Sequence, residues 1–130
     1  MRIILGLDCQ MGMKKNLRLI DIGIMPLYNN LFNRGKCGFK LLQYMALGIP
    51  SVASPIGVNK EIISHSENGF LAHNLIDWVN YIQILIENHK IYNQISINSR
   101  KKVIESYSFK RYIPIIEKLL EEYNKNKKKR

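Results

Sequence analysis

Two glycines and two lysines are clustered in the segment RGKCGFK, which leads directly into an apolar run. Glycine lets a ligand approach the backbone closely, and backbone amides at the start of a helix favour anions. The segment therefore predicts a phosphate-binding loop, although an ordinary tight turn with solvated lysines explains the same spacing. The residues concerned are Gly35, Lys36, Cys37, Gly38, Phe39 and Lys40.

Gln43 lies three residues after the second lysine of this segment, so the two side chains share one face of the predicted helix. An amide side chain both donates and accepts hydrogen bonds, which suits the paired hydroxyl groups of a sugar. The segment lacks the GxxxxGK[ST] spacing of a P-loop and the GxGxxG spacing of a dinucleotide-binding turn. Neither of those motifs therefore accounts for the glycines.

A second loop, SPIGVN, follows the next apolar run. In open parallel sheets the loops that enter helices from neighbouring strands lie at one edge, so this loop is expected to form the second wall of the same site. We predict that wall at Pro55, Gly57 and Val58. Asn59 and Glu61 are either polar neighbours of the site or caps of the next helix.

The elements that position these loops follow from the apolar pattern. Nearly continuous apolar runs predict short strands that are covered on both faces, as in a parallel sheet. These strands are predicted at 2–7, at 21–27, at 50–54 and after a turn at Asn68 and Gly69. Residues 28–36 are predicted as a loop. Helical spacing predicts helices at 38–48, just after Asn59, and at 76–87, 92–105 and 108–123. The fold class is therefore α/β, with a partial Rossmann-like parallel sheet of three or four strands flanked by helices.

Composition restricts the partners. The net charge is +10, but five of the positive charges lie in the last six residues, and aromatic residues are not interleaved with basic ones. We therefore expect no specific nucleic-acid binding, and at most a weak contact of this basic tail with an anionic membrane surface. Cys9 and Cys37 lack paired spacing and the three histidines lack ligand spacing, so we predict no metal, a reducing compartment and a cytoplasmic location, in part peripheral at the inner membrane face.

The segments DIGIMPL, RGKCGFKLLQYMALGIPSVASPIGVNKEII, ENGFLA and ESYS, with Trp78, together resemble the C-terminal, donor-binding half of a GT-B-fold glycosyltransferase. The similarity is to the retaining family called glycosyl transferases group one, and it runs from about Leu17 to Tyr123. The resemblance implies a partial nucleotide-sugar-binding domain over 1–123, followed by a basic tail over 124–130 that is expected to be disordered.

The resemblance also implies roles for the site residues. The amides of Cys37, Gly38 and Phe39 correspond to the family's diphosphate-binding loop, and no cofactor is needed besides the nucleoside diphosphate sugar donor. The family carries two glutamates on this segment, one for the donor sugar and one for the ribose. Gly35 and Gln43 occupy those positions here. Gln43 keeps the capacity to bind ribose, whereas Gly35 has no side chain for the sugar, and the catalytic residues stay unassigned.

Two functions are compatible with these observations. The resemblance implies a glycosyltransferase, or its donor-binding subunit, that transfers a glycosyl group to a hydroxyl acceptor in cell-surface polysaccharide or glycolipid synthesis. It covers only the donor-binding half, so the chain is expected to be either a truncation or one subunit of a split enzyme whose acceptor domain a separate chain supplies. The alternative is a non-catalytic nucleotide-sugar-binding or assembly module with a degenerate acidic motif. The last helix carries an apolar stripe at Phe109, Tyr112, Ile113, Ile116 and Leu120. We expect it to pack within the chain, whereas the resemblance implies the alternative that part of its partner is the family's N-terminal domain.

Overall fold

The computed structural model describes residues 19–127, so the strand predicted over 2–7 lies outside the described residues. Three strands are present in this range: β1 (Gly23–Met25), β2 (Ser51–Ala53) and β3 (Phe70–Leu71). The helices are α1 (Leu31–Arg34), α2 (Phe39–Ala46), α3 (Asn59–Ile62), α4 (Leu75–Glu87), α5 (His89–Tyr107) and α6 (Phe109–Lys127).

The strands form one parallel sheet in the order β1-β2-β3. Gly23 pairs with Ser51 and Met25 with Ala53, while Val52 pairs with Phe70. Helices α1 and α2 connect β1 to β2, and α3 connects β2 to β3, which provides the crossover connections that parallel pairing requires. The predicted α/β class and the partial Rossmann-like parallel sheet are therefore confirmed for the described residues.

The sheet is buried on both faces, which explains why its strands are continuous apolar runs. On one face Val52 belongs to a cluster with Ile22, Phe70, Leu85 and Ile95, under α4 and α5. On the other face the neighbouring Ala53 belongs to a second cluster, under α2 and α3. The buried members of this second cluster are Leu41, Met45, Ala53, Ile62 and Ile63.

Asparagine side chains set several helix starts that periodicity did not predict. The segment 28–36, predicted as a loop, contains the short helix α1, because Asn30 Oδ1 accepts a hydrogen bond of 2.8 Å from the Asn33 amide. Helix α5 begins at His89 rather than Tyr92, because Asn88 Oδ1 accepts hydrogen bonds from the amides of Lys90 and Ile91. Such caps satisfy amides that have no partner inside the helix.

Helix α6 extends from Phe109 to Lys127, beyond the predicted end at Tyr123. The expectation that its apolar stripe packs within the chain is wrong: Phe109 is 84% exposed, Ile116 52% and Leu120 57%. This helix leaves the body of the domain after Ser108, and it has no buried residue. None of the helices in residues 19–127 is both long and apolar enough to cross a membrane.

Candidate functional site

The loops that follow β1 and β2 enclose a cleft of about 670 Å³ at the carboxyl edge of the sheet. We call it the glycine cleft. One wall consists of Asn29 and of Arg34, Gly35, Lys36 and Cys37. The opposite wall consists of Pro55, Ile56, Gly57, Val58, Lys60 and Glu61.

The two walls touch at a glycine. Gly57 has a φ of +54°, and a Cβ atom at this position would lie 2.6 Å from the backbone oxygen of Arg34. A side chain is therefore excluded both by the left-handed backbone and by the opposite wall. Gly38 has a φ of +68°, and its Cβ would lie 2.5 Å from Ile62 Cδ1 and 3.0 Å from Val58 Cγ1. The lack of side chains at Gly57 and Gly38 is what allows the two loops to pack together.

Hydrogen bonds fix the second wall to the sheet. The Leu27 amide donates to Ser54 Oγ over 2.9 Å, which joins the loops after β1 and β2. Asn59 is 1% exposed, and its Nδ2 donates to the Ser54 carbonyl oxygen over 3.0 Å. Asn59 therefore holds the loop from below, rather than lining the cleft or capping α3, which begins at Asn59 itself. Its Oδ1 is buried and has no hydrogen-bond partner among the described residues.

The glycine cleft is electropositive. Its lining carries three cationic side chains, those of Arg34, Lys36 and Lys60, against the single carboxylate of Glu61. Arg34 Nε donates to Asn29 Oδ1 over 2.8 Å, and Lys36 Nζ lies 5.2 Å from the centre of the Phe32 ring. The hydrogen bond and the cation–π contact place both cations at the rim. An anionic ligand is therefore favoured over a neutral or cationic one.

The carboxylate of Glu61 faces the end of helix α5. The pKa of Tyr107 is raised mainly by its burial, and further by the charges of Tyr112 and Glu61. Glu61 therefore lies close enough to the Tyr107 hydroxyl to disfavour its ionisation.

Helix α2 begins beside the cleft without a side-chain cap. Gly38 is its N-cap residue and offers no hydrogen-bond acceptor to the first turn. Phe39, the first helical residue, is 62% exposed. The amides of this turn therefore keep their capacity to bind an anion, which the helix dipole also favours.

The structure brings six of the predicted site residues together in the glycine cleft. They are Gly35, Lys36, Cys37, Pro55, Gly57 and Val58. The remaining four, Gly38, Phe39, Lys40 and Gln43, are not part of the described lining. Gly38 is buried beneath the second wall, and Lys40 and Gln43 lie half-buried on α2, so their roles stay predictions.

Sequence reasoning missed Asn29 and Lys60 in the lining of the cleft, whereas Ile56 lies within the predicted second wall. Lys60 follows Gly57 by three residues, and Lys40 follows Gly38 by two. That parallel is a signal in the sequence. Asn29 has no comparable signal in the sequence. Its Oδ1 accepts a hydrogen bond from Arg34 of helix α1, a helix that was not predicted.

Comparison with known proteins identifies the family. The model of a family described as glycosyl transferases group 1 matches residues 5–88. An uncharacterized glycosyltransferase of Haemophilus influenzae is 39% identical over 88 residues, which are 64% of this chain and 22% of that protein. A GDP-Man:Man(3)GlcNAc(2)-PP-Dol alpha-1,2-mannosyltransferase of Dictyostelium discoideum is 28% identical over 118 residues, covering 85% of this chain and 22% of that protein. This chain thus spans about a fifth of the length of either relative.

The fold is also similar to a solved structure. The crystal structure of the C-terminal domain of a glycosyl transferase group 1 family protein from Francisella tularensis superposes with a TM-score of 0.67 at 23% identity. The match covers 81% of this chain and 53% of that one. The described residues thus have the fold of part of a GT-B C-terminal domain. With a family model that matches well over half of its residues, this chain belongs to the glycosyl transferases group 1 family.

Proposed function

We propose that the glycine cleft binds the diphosphate of a nucleoside diphosphate sugar, and that this domain presents the glycosyl group for transfer to a hydroxyl acceptor. The observation that carries the proposal is the position of Arg34, Lys36 and Lys60 around a cleft between two loops at the carboxyl edge of a parallel sheet. Ligands of open α/β sheets bind at this edge. The family gives the reaction class.

The charges of the cleft suit the chemistry of the reaction. Glycosyl transfer breaks the bond between the anomeric carbon and the diphosphate oxygen, and the acceptor oxygen forms the new bond as its proton leaves. Negative charge then accumulates on the departing nucleoside diphosphate. We propose that Lys36 and Lys60, which line the cleft, stabilise that charge more strongly in the transition state than in the bound donor, which is the condition for catalysis.

The remaining contacts to the donor are part of the proposal. The amides of Cys37, Gly38 and Phe39 contribute to diphosphate binding, and Gln43 binds the ribose. Gly35 supplies no side chain to the sugar, so another group makes that contact. The acceptor hydroxyl is oriented by protein outside this domain, in line with the need to hold both substrates across one cleft.

The donor and the pathway are proposed only as classes. The Dictyostelium relative is named for the use of GDP-Man, so GDP-mannose is the first donor to try. Synthesis of cell-surface polysaccharide or glycolipid is the proposed pathway, and a separate chain that carries the acceptor site is the proposed partner.

A second function deserves a test, because Gly35 and Gln43 stand where the resemblance places two glutamates. In this second function the domain binds nucleotide sugar as an assembly module and does not transfer the glycosyl group. The two functions differ in turnover rather than in binding. Release of nucleoside diphosphate in the presence of a partner chain would favour the enzyme.

Ligand-observed NMR of the full chain against UDP, GDP and ADP and their sugars tests the binding proposal. The variants Lys36→Ala and Lys60→Ala are compared with Lys118→Ala on the exposed face of α6. Each cleft variant is expected to weaken binding of one nucleotide class by about tenfold, since a hydrogen bond to a charged group contributes about 1.5 kcal/mol or more. The Lys118 variant is expected to bind like the unmodified chain.

Two results would contradict the proposal. One is a folded chain that binds no nucleoside diphosphate at millimolar concentration. The other is binding that weakens equally in all three variants, because a general charge effect, rather than the glycine cleft, would then account for it.

A further inference from the structure

Helix α6 presents an apolar face that no described part of the chain covers. Every residue over 109–127 is exposed, and the apolar stripe continues through Leu119 and Tyr123. These side chains recur every three or four residues, so they lie on one side of the helix over about four turns. A helix in water takes most of its stability from the packing of such a face, so α6 is expected to have a partner.

Four charged side chains flank the apolar stripe in a regular arrangement. Lys110 and Glu121 are separated by about three helical turns, so they lie along the same edge of α6. Arg111 and Glu122 have the same separation and lie along the other edge. Each edge therefore carries a cation near the start of the helix and a carboxylate near its end. None of these four side chains forms an ion pair within residues 19–127.

This arrangement of charges is complementary to itself in one orientation. When two α6 helices lie antiparallel about Ile116, the start of one helix lies beside the end of the other. Lys110 then meets Glu121 of the second copy, and Arg111 meets Glu122. A parallel pair would instead place each charge beside the same charge of the second copy. Because like charges oppose association, the antiparallel pair is favoured.

The apolar side chains match in the same orientation. The stripe is nearly symmetric about Ile116, since apolar residues occur three, four and seven positions before it and after it. In the antiparallel pair each apolar side chain therefore meets another one. The facing pairs are Ile113 with Leu119, Tyr112 with Leu120, and Phe109 with Tyr123. A surface that fits a second copy of itself across a twofold axis is typical of homodimers.

A lipid surface fits α6 less well than a second copy does. Helical spacing places the carboxylates of Glu117 and Glu122 at the two edges of the apolar stripe, where lipid headgroups would meet them. Anionic headgroups repel carboxylates, so the stripe would approach such a membrane against a local repulsion. A second copy offers Arg111 to Glu122 instead.

We propose that two copies of this chain associate through an antiparallel pair of α6 helices, with a twofold axis at Ile116. The apolar stripes form the centre of the interface. The pairs of Lys110 with Glu121 and of Arg111 with Glu122 fix its orientation. The proposal does not depend on the proposed function, because α6 contributes no residue to the described lining of the glycine cleft.

Analytical ultracentrifugation of the full chain, from micromolar to millimolar concentration, tests the association. The unmodified chain is expected to reach twice the mass of one copy. Ile116→Lys brings two cations together at the axis, so it is expected to raise the dissociation constant by about a hundredfold. Ile104→Lys on α5 is the matched control, because Ile104 is 53% exposed and Ile116 52%. The control is expected to associate like the unmodified chain, and circular dichroism checks that both variants fold.

The variants Arg111→Glu and Glu122→Arg test the orientation. Each variant alone places like charges together at two symmetric positions of the interface, and is expected to weaken self-association by about tenfold. An equimolar mixture of the two variants restores both attractive pairs, so it is expected to form mixed dimers about as tightly as the unmodified chain. Lys118→Glu makes the same change in charge on the face opposite the stripe, and is expected to leave association unchanged.

A folded chain that stays monomeric at millimolar concentration would overturn the proposal. Vesicles of anionic phospholipid then identify the occupant: binding that Ile116→Lys abolishes would assign the stripe to a lipid surface, and no binding would assign it to a different protein chain. Dimers that Ile116→Lys leaves unchanged would also overturn the proposal. So would a mixture of the two charge variants that associates no better than either variant alone.

Discussion

Helices α4 and α5 begin at asparagines, whereas helix α2 begins at a glycine. Asn74 Oδ1 accepts a hydrogen bond from the Asp77 amide, and Asn88 Oδ1 accepts two from the first turn of α5. Gly38 offers the first turn of α2 no side-chain acceptor. The asparagines stabilise their helices within the chain itself. The glycine leaves the amides of α2 available to a ligand, beside the cleft that carries three cations.

The asparagine and glycine helix starts also differ in which substitutions they tolerate. An asparagine cap works through its side chain, so a residue with a similar acceptor can replace it. Gly38 and Gly57 work through the absence of a side chain, so no other residue can replace them without a change in the backbone. Substitutions of the loop glycines are therefore expected to lower stability more than conservative substitutions of the capping asparagines.

The largest effect is expected at Gly57. Gly57→Ala imposes an unfavourable positive φ and a clash with the Arg34 backbone, so it is expected to lower the free energy of unfolding by about 2 kcal/mol or more and to weaken nucleotide binding. Gly35→Ala is the matched control, because Gly35 has a φ of −83° and its Cβ would lie 3.7 Å from the nearest atom. Thermal unfolding by circular dichroism measures both. Equal losses in the two variants would contradict the packing of the loops described above.

The next effect concerns the support under the second loop. Asn59→Ala removes the hydrogen bond to the Ser54 carbonyl, which then keeps only the bond of 2.8 Å from the Ile56 amide, and it empties a buried side-chain site, which together are expected to cost about 1–3 kcal/mol of stability. Asn80→Ala, at an exposed position of α4, is expected to change stability by less than about 0.5 kcal/mol. Urea unfolding compares the two. A neutral Asn59 variant would mean that the second wall does not depend on this bond.

A smaller effect is expected at an asparagine cap. Asn88→Ala is expected to lower the free energy of unfolding by about 1 kcal/mol, while Asn88→Asp keeps the acceptor and most of the stability. Neither change is expected to alter nucleotide affinity, because Asn88 is not part of the lining of the glycine cleft. A change in affinity that follows the loss of the cap would break the distinction between structural and ligand-binding helix starts.

The smallest effect appears only at high pH. Burial raises the pKa of Tyr44, on the buried face of α2, above its ordinary value of 10.0. The folded state therefore holds this proton more tightly than the unfolded state, and stability is lost as the pH rises from about 10 through the raised pKa. In Tyr44→Phe the slope of stability against pH above 10 is expected to be shallower, with Tyr92 and Tyr107 supplying the remainder. An unchanged slope would mean that Tyr44 does not contribute.

Much of the fold could be predicted from the sequence, because buried parallel strands and amphipathic helices leave strong periodic patterns. The strands within 21–27 and 50–54 and the helix after Gly38 follow from such patterns. Helix α1 could not be predicted in this way. It has four residues, and the local hydrogen bonds of Asn30 and Asn33 define it rather than any period.

The candidate site shows the same limit. The glycine cleft could be predicted in part, because its walls are two short glycine-containing segments at the ends of apolar runs. Lys60 was missed because it lies beyond the loop, inside α3. The exposure of α6 likewise depends on tertiary packing that its own pattern does not specify.

Two-dimensional amide NMR of the labelled chain, titrated with the nucleoside diphosphate that binds most tightly, tests the central claim most directly. The account predicts saturable shifts that are largest for the amides of Cys37, Gly38 and Phe39, with little change at the capped amides of Lys90 and Ile91. Shifts that are largest on α6, or equal at capped and uncapped helix starts, would contradict the assignment of the glycine cleft as the diphosphate site.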